Sequence, residues 1–135
     1  MRNLPLLVHL GDRNLTFSKP SRLVTVSEHF PKLRIIAAHM GGYLAWDEAK
    51  EFLVNRPNVW FDTSSTRPFL PEDKFVEMIY AYGVDRIMLG SDYPSKNQKH
   101  AVDEIMNLDI PEQDKEMICF RNACRFFNIQ ENPTA

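Results

Sequence analysis

The chain has 135 residues, 44% of them hydrophobic, which is one domain's worth and enough to bury a real core. A formal net charge of -2 argues against a nucleic-acid or polyphosphate partner, which would call for a basic surplus. No apolar run approaches the ~20 residues of a membrane span. Met1-Arg2-Asn3 with the short apolar stretch after it does not read as a signal peptide, and none is expected. Cys119 and Cys124 fit neither a zinc nor a redox spacing and are expected to be reduced thiols. A single domain over 1–135 is expected, soluble and cytoplasmic.

The first apolar run, residues 5–9, reads as a strand ending Leu6-Leu7-Val8-His9. The loop Gly11-Asp12-Arg13-Asn14 leads to a helix opened by Ser18 and Pro20, with Leu23, Val26 and Phe30 on one face. Pro31 stops it, and residues 33–39 form strand two. Gly41-Gly42 turns into a helix whose Trp46, Ala49, Phe52 and Leu53 recur at helical spacing. Pro57-Asn58 ends that helix before strand three, residues 59–63. After a loop over 64–68, a helix starts near Pro71. Glu72 and Asp73 suit its dipole, Phe75, Val76 and Ile79 face inward, and Gly83 stops it. Strand four spans 86–91. A short helix (Ala101, Val102, Ile105, Met106) precedes a last one, capped by Asp109 with Pro111 in its first turn. Met117, Phe120, Cys124 and Phe127 follow along one face of it.

The strands are near-continuous apolar runs, so the sheet is expected to be parallel and covered on both faces. Four βα units of roughly 30 residues equal half of a ~250-residue (β/α)8 barrel. Each strand ends in a polar residue: His9, His39, Asp62-Thr63 and Asp92. In a barrel of this kind the chemistry sits at the carboxyl ends of the strands, and imidazole with carboxylate suits a divalent metal. Of these, Asp62 serves the following turn as readily as the site. Arg13, Arg67 and Lys96 lie in the loops on that side, where a solvated charge is the default and a grip on a substrate carboxylate the alternative. Trp46 reads as core packing.

The phrases Leu7-Val8-His9-Leu10-Gly11-Asp12, Ala38-His39-Met40-Gly41-Gly42, Phe61-Asp62-Thr63-Ser64 and Leu89-Gly90-Ser91-Asp92-Tyr93-Pro94 resemble four successive blocks of one family. That family is the amidohydrolase-related metal-dependent hydrolases (amidohydrolase 2), including the aminocarboxymuconate-semialdehyde decarboxylase-like branch. Phe30-Pro31, Pro57-Asn58-Val59 and Arg121-Asn122-Ala123 are smaller matches. The likeness runs from Leu4 to Asn128 and covers the C-terminal half of the family's TIM barrel, strands five to eight.

The resemblance implies that His9 is the metal-ligating histidine of strand five. His39 is then the strand-six histidine, a metal ligand or a group acting on substrate. Asp92 is the strand-eight aspartate, which holds metal and relays a proton. It implies a divalent metal cofactor, zinc first, with manganese or iron as alternatives. The implied activity is hydrolysis of a carbonyl-type bond in a small polar substrate by metal-activated water, with Asp92 as base. Non-oxidative decarboxylation (a carboxy-lyase) is the rival reading, and a non-catalytic half barrel needing a partner half is another. The family's strand-one His-x-His pair has no counterpart: the remaining two of four histidines, His29 and His100, fall in or beside helices. A homo-oligomer, or dependence on an N-terminal half, is expected. Inward-facing Leu7, Ile36, Phe61 and Met88 would otherwise be exposed beside two open strand edges.

Overall fold

Four strands pair in parallel in the order in which the chain makes them: β1 (Leu6–Val8), β2 (Ile35–Ala37), β3 (Val59–Asp62) and β4 (Ile87–Met88). The computed structural model describes residues 4–130. Helices α1 (Pro20–His29), α2 (Trp46–Leu53) and α3 (Glu72–Tyr82) connect successive strands, and α4 (Gln98–Met106), α5 (Glu112–Glu116) and α6 (Asn122–Phe127) follow the last. This is the expected α/β architecture of βα repeats. Among the described residues no helix is long and apolar enough to cross a membrane.

Register assigns the two faces of the sheet. Ile35, Ala37, Val59, Phe61 and Ile87 share one face and pack with Leu23, Ala49, Leu53, Phe75 and Ile79 from the helices. Phe61 stacks on Tyr82 there, with ring centroids 3.8 Å apart. Phe61 is thus on the helix side and not on the inner face. Side chains alternate along a strand, so Trp60 takes the inner position, in line with Leu7 and Ile36.

Ile36 and Met88, expected to be exposed on the inner face, are buried. Ala123 and Phe126 of α6 cover them together with Trp60. The cause lies in the last helical stretch. Between α5 and α6 the backbone widens into a π-helical segment, Met117–Arg121, where the Asn122 N–H reaches back five residues to the Met117 carbonyl. One inserted residue shifts the helix phase. The buried residues are therefore Ile118, Asn122 and Phe126, with Cys124 buried as expected, while Phe120 and Phe127 of the expected face are left half exposed. Asn122 pins this segment to β4, donating to the carbonyls of Val84 and Ile87, each at 2.7 Å. The Ile118 carbonyl accepts the Leu89 N–H at 2.9 Å, which ends β4 early. Only Leu7, 64% exposed, keeps the open inner position expected of it.

Asp109 caps nothing: α5 opens behind Pro111 with no side-chain cap. The capping side chain is instead Asn97, which accepts from the His100 N–H at 2.9 Å at the start of α4. Phe30 and Phe52 are more than a third exposed at helix rims, and α3 buries Met78 and Tyr82 beside Phe75 and Ile79.

Candidate active site

Every strand leads into its loop on the same side of the parallel sheet, so the strand-end residues meet. His9 follows β1 directly, His39 lies two residues beyond β2, and Asp92 four beyond β4. All three line one cleft of about 280 Å³, with Tyr43, Ser65, Phe69 and Ser95.

The backbone makes sharp exits from the strands. His39, Ser65 and Asp92 have φ of 60°, 47° and 57°, left-handed values that cost a non-glycine residue about 1 kcal/mol or more. Such conformations persist only where neighbours impose them. Asp62 imposes the first: its Oδ1 accepts the His39 N–H at 3.1 Å, and its carbonyl takes the Met40 N–H at 2.7 Å. The His39 carbonyl accepts from the Trp46 indole N–H at 3.0 Å, so Trp46 does more than pack. At Asp92, Ser65 Oγ donates to Oδ2 at 2.7 Å.

Two glycines let the loops close together. A Cβ on Gly11 would stand 2.4 Å from the Tyr43 carbonyl oxygen, and one on Gly90 would stand 3.0 Å from the Asp62 carboxyl carbon. Thr63 Oγ1 accepts the Gly90 N–H at 3.1 Å and ties the third loop to the fourth. Beside His9, Asp12 accepts the N–H groups of Asn14 and Leu15, which holds its carboxyl below the usual range.

The two imidazoles touch. His9 Nδ1 and His39 Nε2 are 2.9 Å apart, with ring planes at 69°. His9 Nε2 faces the Gly11 carbonyl oxygen at 2.9 Å, and a carbonyl only accepts, so Nε2 carries the hydrogen. His39 Nδ1 faces the Ser64 carbonyl (3.2 Å) and Ser64 Oγ (2.9 Å), whose own hydrogen goes to Asp62 Oδ1. Nδ1 of His39 is therefore also N–H. In neutral rings this leaves lone pairs on the two facing nitrogens, which repel unless a proton or a metal ion joins them.

Two imidazole nitrogens held at right angles on one metal, each at about 2.0–2.1 Å, stand roughly 3 Å apart. The histidine pair thus fits two positions of a metal's shell, its outer N–H groups anchored as such ligands require. Asp92 is on the same cleft. Yet among the described residues no group of three His, Cys, Asp or Glu side chains is arranged to hold an ion. The expected ligands come together as a histidine pair, with Asp92 turned toward Ser65.

The loop cations stay out. Arg67 pairs with Glu72 at 2.9 Å and Lys96 with Glu104 at 2.5 Å, and Arg13 is exposed in its loop. His29 and His100 sit on α1 and α4, away from the cleft. Sequence reasoning passed over Ser64, Ser65, Tyr43 and Phe69. The run from Asp62 to Thr66 read as a polar turn, and only tertiary contacts give its hydroxyls partners.

Parallel βα units with polar residues gathered at the carboxyl ends of the strands are the architecture of a (β/α) barrel. The sequence profile of the amidohydrolase family matches residues 2–129, and the chain belongs to that family. It is 26% identical over 121 residues to gamma-resorcylate decarboxylase of Polaromonas sp. (strain JS666), an alignment covering 76% of this chain and 36% of that protein. Among solved structures, an uncharacterised TIM-barrel protein, Bb4693 of Bordetella bronchiseptica, superposes with a TM-score of 0.80 at 22% identity, over 93% of this chain and 46% of that one. A dihydroxybenzoic acid decarboxylase of Polaromonas sp. JS666, solved with manganese and the inhibitor 2-nitroresorcinol, superposes at 0.65 and 20% identity, over 96% and 51%. The chain thus spans about half of these barrels and about a third of the curated decarboxylase, and its fold is the C-terminal half of a TIM barrel.

Proposed function

We propose that this chain carries the second half of the active site of a carboxy-lyase that releases carbon dioxide from a small aromatic acid. The observation that carries the reading is the facing pair of lone pairs on His9 and His39, set beside Asp92 at the strand ends. The decarboxylases among its relatives support decarboxylation above the hydrolysis expected from the sequence. The manganese in one of them makes manganese the first ion to try, ahead of zinc.

His9 Nδ1 and His39 Nε2 would hold a divalent ion, with the remaining ligands supplied by residues outside the chain. Bound there, the ion supplies a Lewis acid for the substrate's oxygens. Tyr43 and Phe69, edge to face at 5.5 Å, wall the cleft beside His39 and present an aromatic surface to a flat ring. Asp92, with one oxygen held by Ser65, keeps the other for a proton. In decarboxylation that proton goes to the ring carbon, the carbon–carbon bond pair returns to the ring, and carbon dioxide leaves. In hydrolysis the same carboxylate would take a proton from water.

The test starts from the chelator-stripped chain titrated with manganese in a calorimeter. Weak binding is expected, and His9→Ala should abolish it. Tight binding that survives His9→Ala would overturn the ligand assignment. Carbon dioxide release from gamma-resorcylate is then followed with the chain mixed with the complementary half of the Polaromonas enzyme. Conversion is expected from wild type and not from Asp92→Ala; equal conversion by both sinks the role given to Asp92.

A further inference from the structure

The hydrogen bonds behind His39 form a directed chain that ends on a carboxylate. Asp62 Oδ1 accepts three of them: the His39 N–H at 3.1 Å, the Ser64 N–H at 2.9 Å and the Ser64 hydroxyl. Three donors converging on one oxygen leave the Ser64 hydroxyl no choice of direction, because its only hydrogen is drawn to the charge. Its lone pairs then face His39 Nδ1 at 2.9 Å. Ser64 is 4% exposed and His39 7%, so water does not compete for either.

We propose that Asp62 and Ser64 act as a tautomer lock. The carboxylate orients the serine hydroxyl, and the hydroxyl holds the His39 hydrogen on Nδ1, so that Nε2 always presents a lone pair to His9 and to the cleft. Ser64 is thereby a positioning residue acting through His39. The wrong tautomer would place an N–H on Nε2, where it would donate to His9 Nδ1 and close off the one acceptor direction that a metal or a substrate proton needs. The backbone N–H of His39 bonds the same Asp62 oxygen that directs the serine. One carboxylate thus sets both the left-handed backbone of His39 and the protonation of its ring. The same loop sends the next hydroxyl, Ser65, to Asp92, so residues 62–66 orient both halves of the site.

A rival holder exists in the Ser64 carbonyl, which lies 3.2 Å from Nδ1 but already accepts the Thr66 hydroxyl at 2.9 Å. Substitution at Ser64 separates the two, because it removes the hydroxyl and keeps the carbonyl.

The experiment is a long-range proton–nitrogen correlation spectrum of the full chain, without added metal or substrate, in alkaline buffer where an ordinary imidazole is neutral. Wild type should show His39 Nδ1 as the protonated nitrogen and Nε2 as the bare one. In Ser64→Ala the two resonances should move toward the averaged position of exchanging tautomers, while the amide spectrum stays folded. Ser64→Thr should restore the wild-type pattern. Ser64→Cys, near in size but a weak acceptor, should behave as alanine does, and it decides the matter if Ser64→Ala fails to fold. A protonated Nε2 in wild type, or an unchanged Nδ1–H in Ser64→Ala and Ser64→Cys, overturns the lock. The inference deepens the site reading above, but its measurement needs neither manganese nor turnover, so failure of decarboxylation leaves this result standing.

Discussion

Truncating Phe126 to alanine tests whether α6 covers the inner face of the half barrel. Phe126 is 2% exposed and packs edge to face on Trp60, with centroids 5.1 Å apart. The Arg34 guanidinium lies 4.9 Å from its ring centre. Removing a buried phenylalanine side chain costs about 3–5 kcal/mol, cavity included. The cation–π contact contributes about 0.5–1 kcal/mol of that. Against a total stability of roughly 5–15 kcal/mol for a domain, the loss is large. It should lower the urea midpoint by more than about 1 M. Binding of an apolar dye should rise as Ile36 and Met88 lose their cover. Phe127→Ala is the control. Phe127 is 48% exposed, so its loss should cost under about 1 kcal/mol. Equal losses from the two variants, or a larger one from Phe127→Ala, would mean the helix runs without the π-helical insertion and the inner face is open.

Three more outcomes follow from the packing and charges. Lys50 and Lys74 hold the Glu77 carboxyl down to about 2, from an ordinary 4.5. A depressed acid contributes stability above its unfolded value and loses it as pH falls toward the folded one. Glu77→Gln should therefore flatten the acid limb of a denaturation series between about 4.5 and about 2, and the difference should shrink in high salt because the group is exposed. Tyr82→Phe removes the hydroxyl that donates to the buried Met40 carbonyl at 3.0 Å. A loss of about 1–3 kcal/mol is expected in the same urea assay, and no loss would mean water or another donor serves that carbonyl. Finally, β1 has a single strand neighbour, and Leu4 and Leu7 are 67% and 64% exposed beside it. Sedimentation should show mass rising with protein concentration, and Leu7→Lys should reduce the rise; a monomer at every concentration would show the edge is otherwise protected.

How much of this was legible beforehand depends on how local the cause is. The order of elements, the parallel sheet and the barrel type follow from the alternation of apolar runs with helical patterns, because each βα unit is dictated by its own thirty or so residues. The convergence of His9, His39 and Asp92 follows from the same regularity, since parallel strands bring all their carboxyl ends to one side. Strand lengths did not follow. His39 leaves β2 in a left-handed turn that Asp62, twenty-three positions on, imposes through a hydrogen bond.

The helix that hides Ile36 and Met88 was equally out of reach. A π-helical residue leaves no mark in an apolar periodicity; it shows only when Asn122 and the Ile118 carbonyl find their partners around β4. The hydroxyls of Ser64 and Ser65 look alike in the sequence, as turn residues. Tertiary structure alone sends one to His39 and the other to Asp92. The sequence by itself determined the family, through motif blocks that resemble it, and the fold, through periodicity; it also put forward His9, His39 and Asp92 as candidates, because strand-end placement is local. Tertiary structure decided their orientation, tautomer and cover, because those depend on hydrogen bonds between loops far apart in the chain.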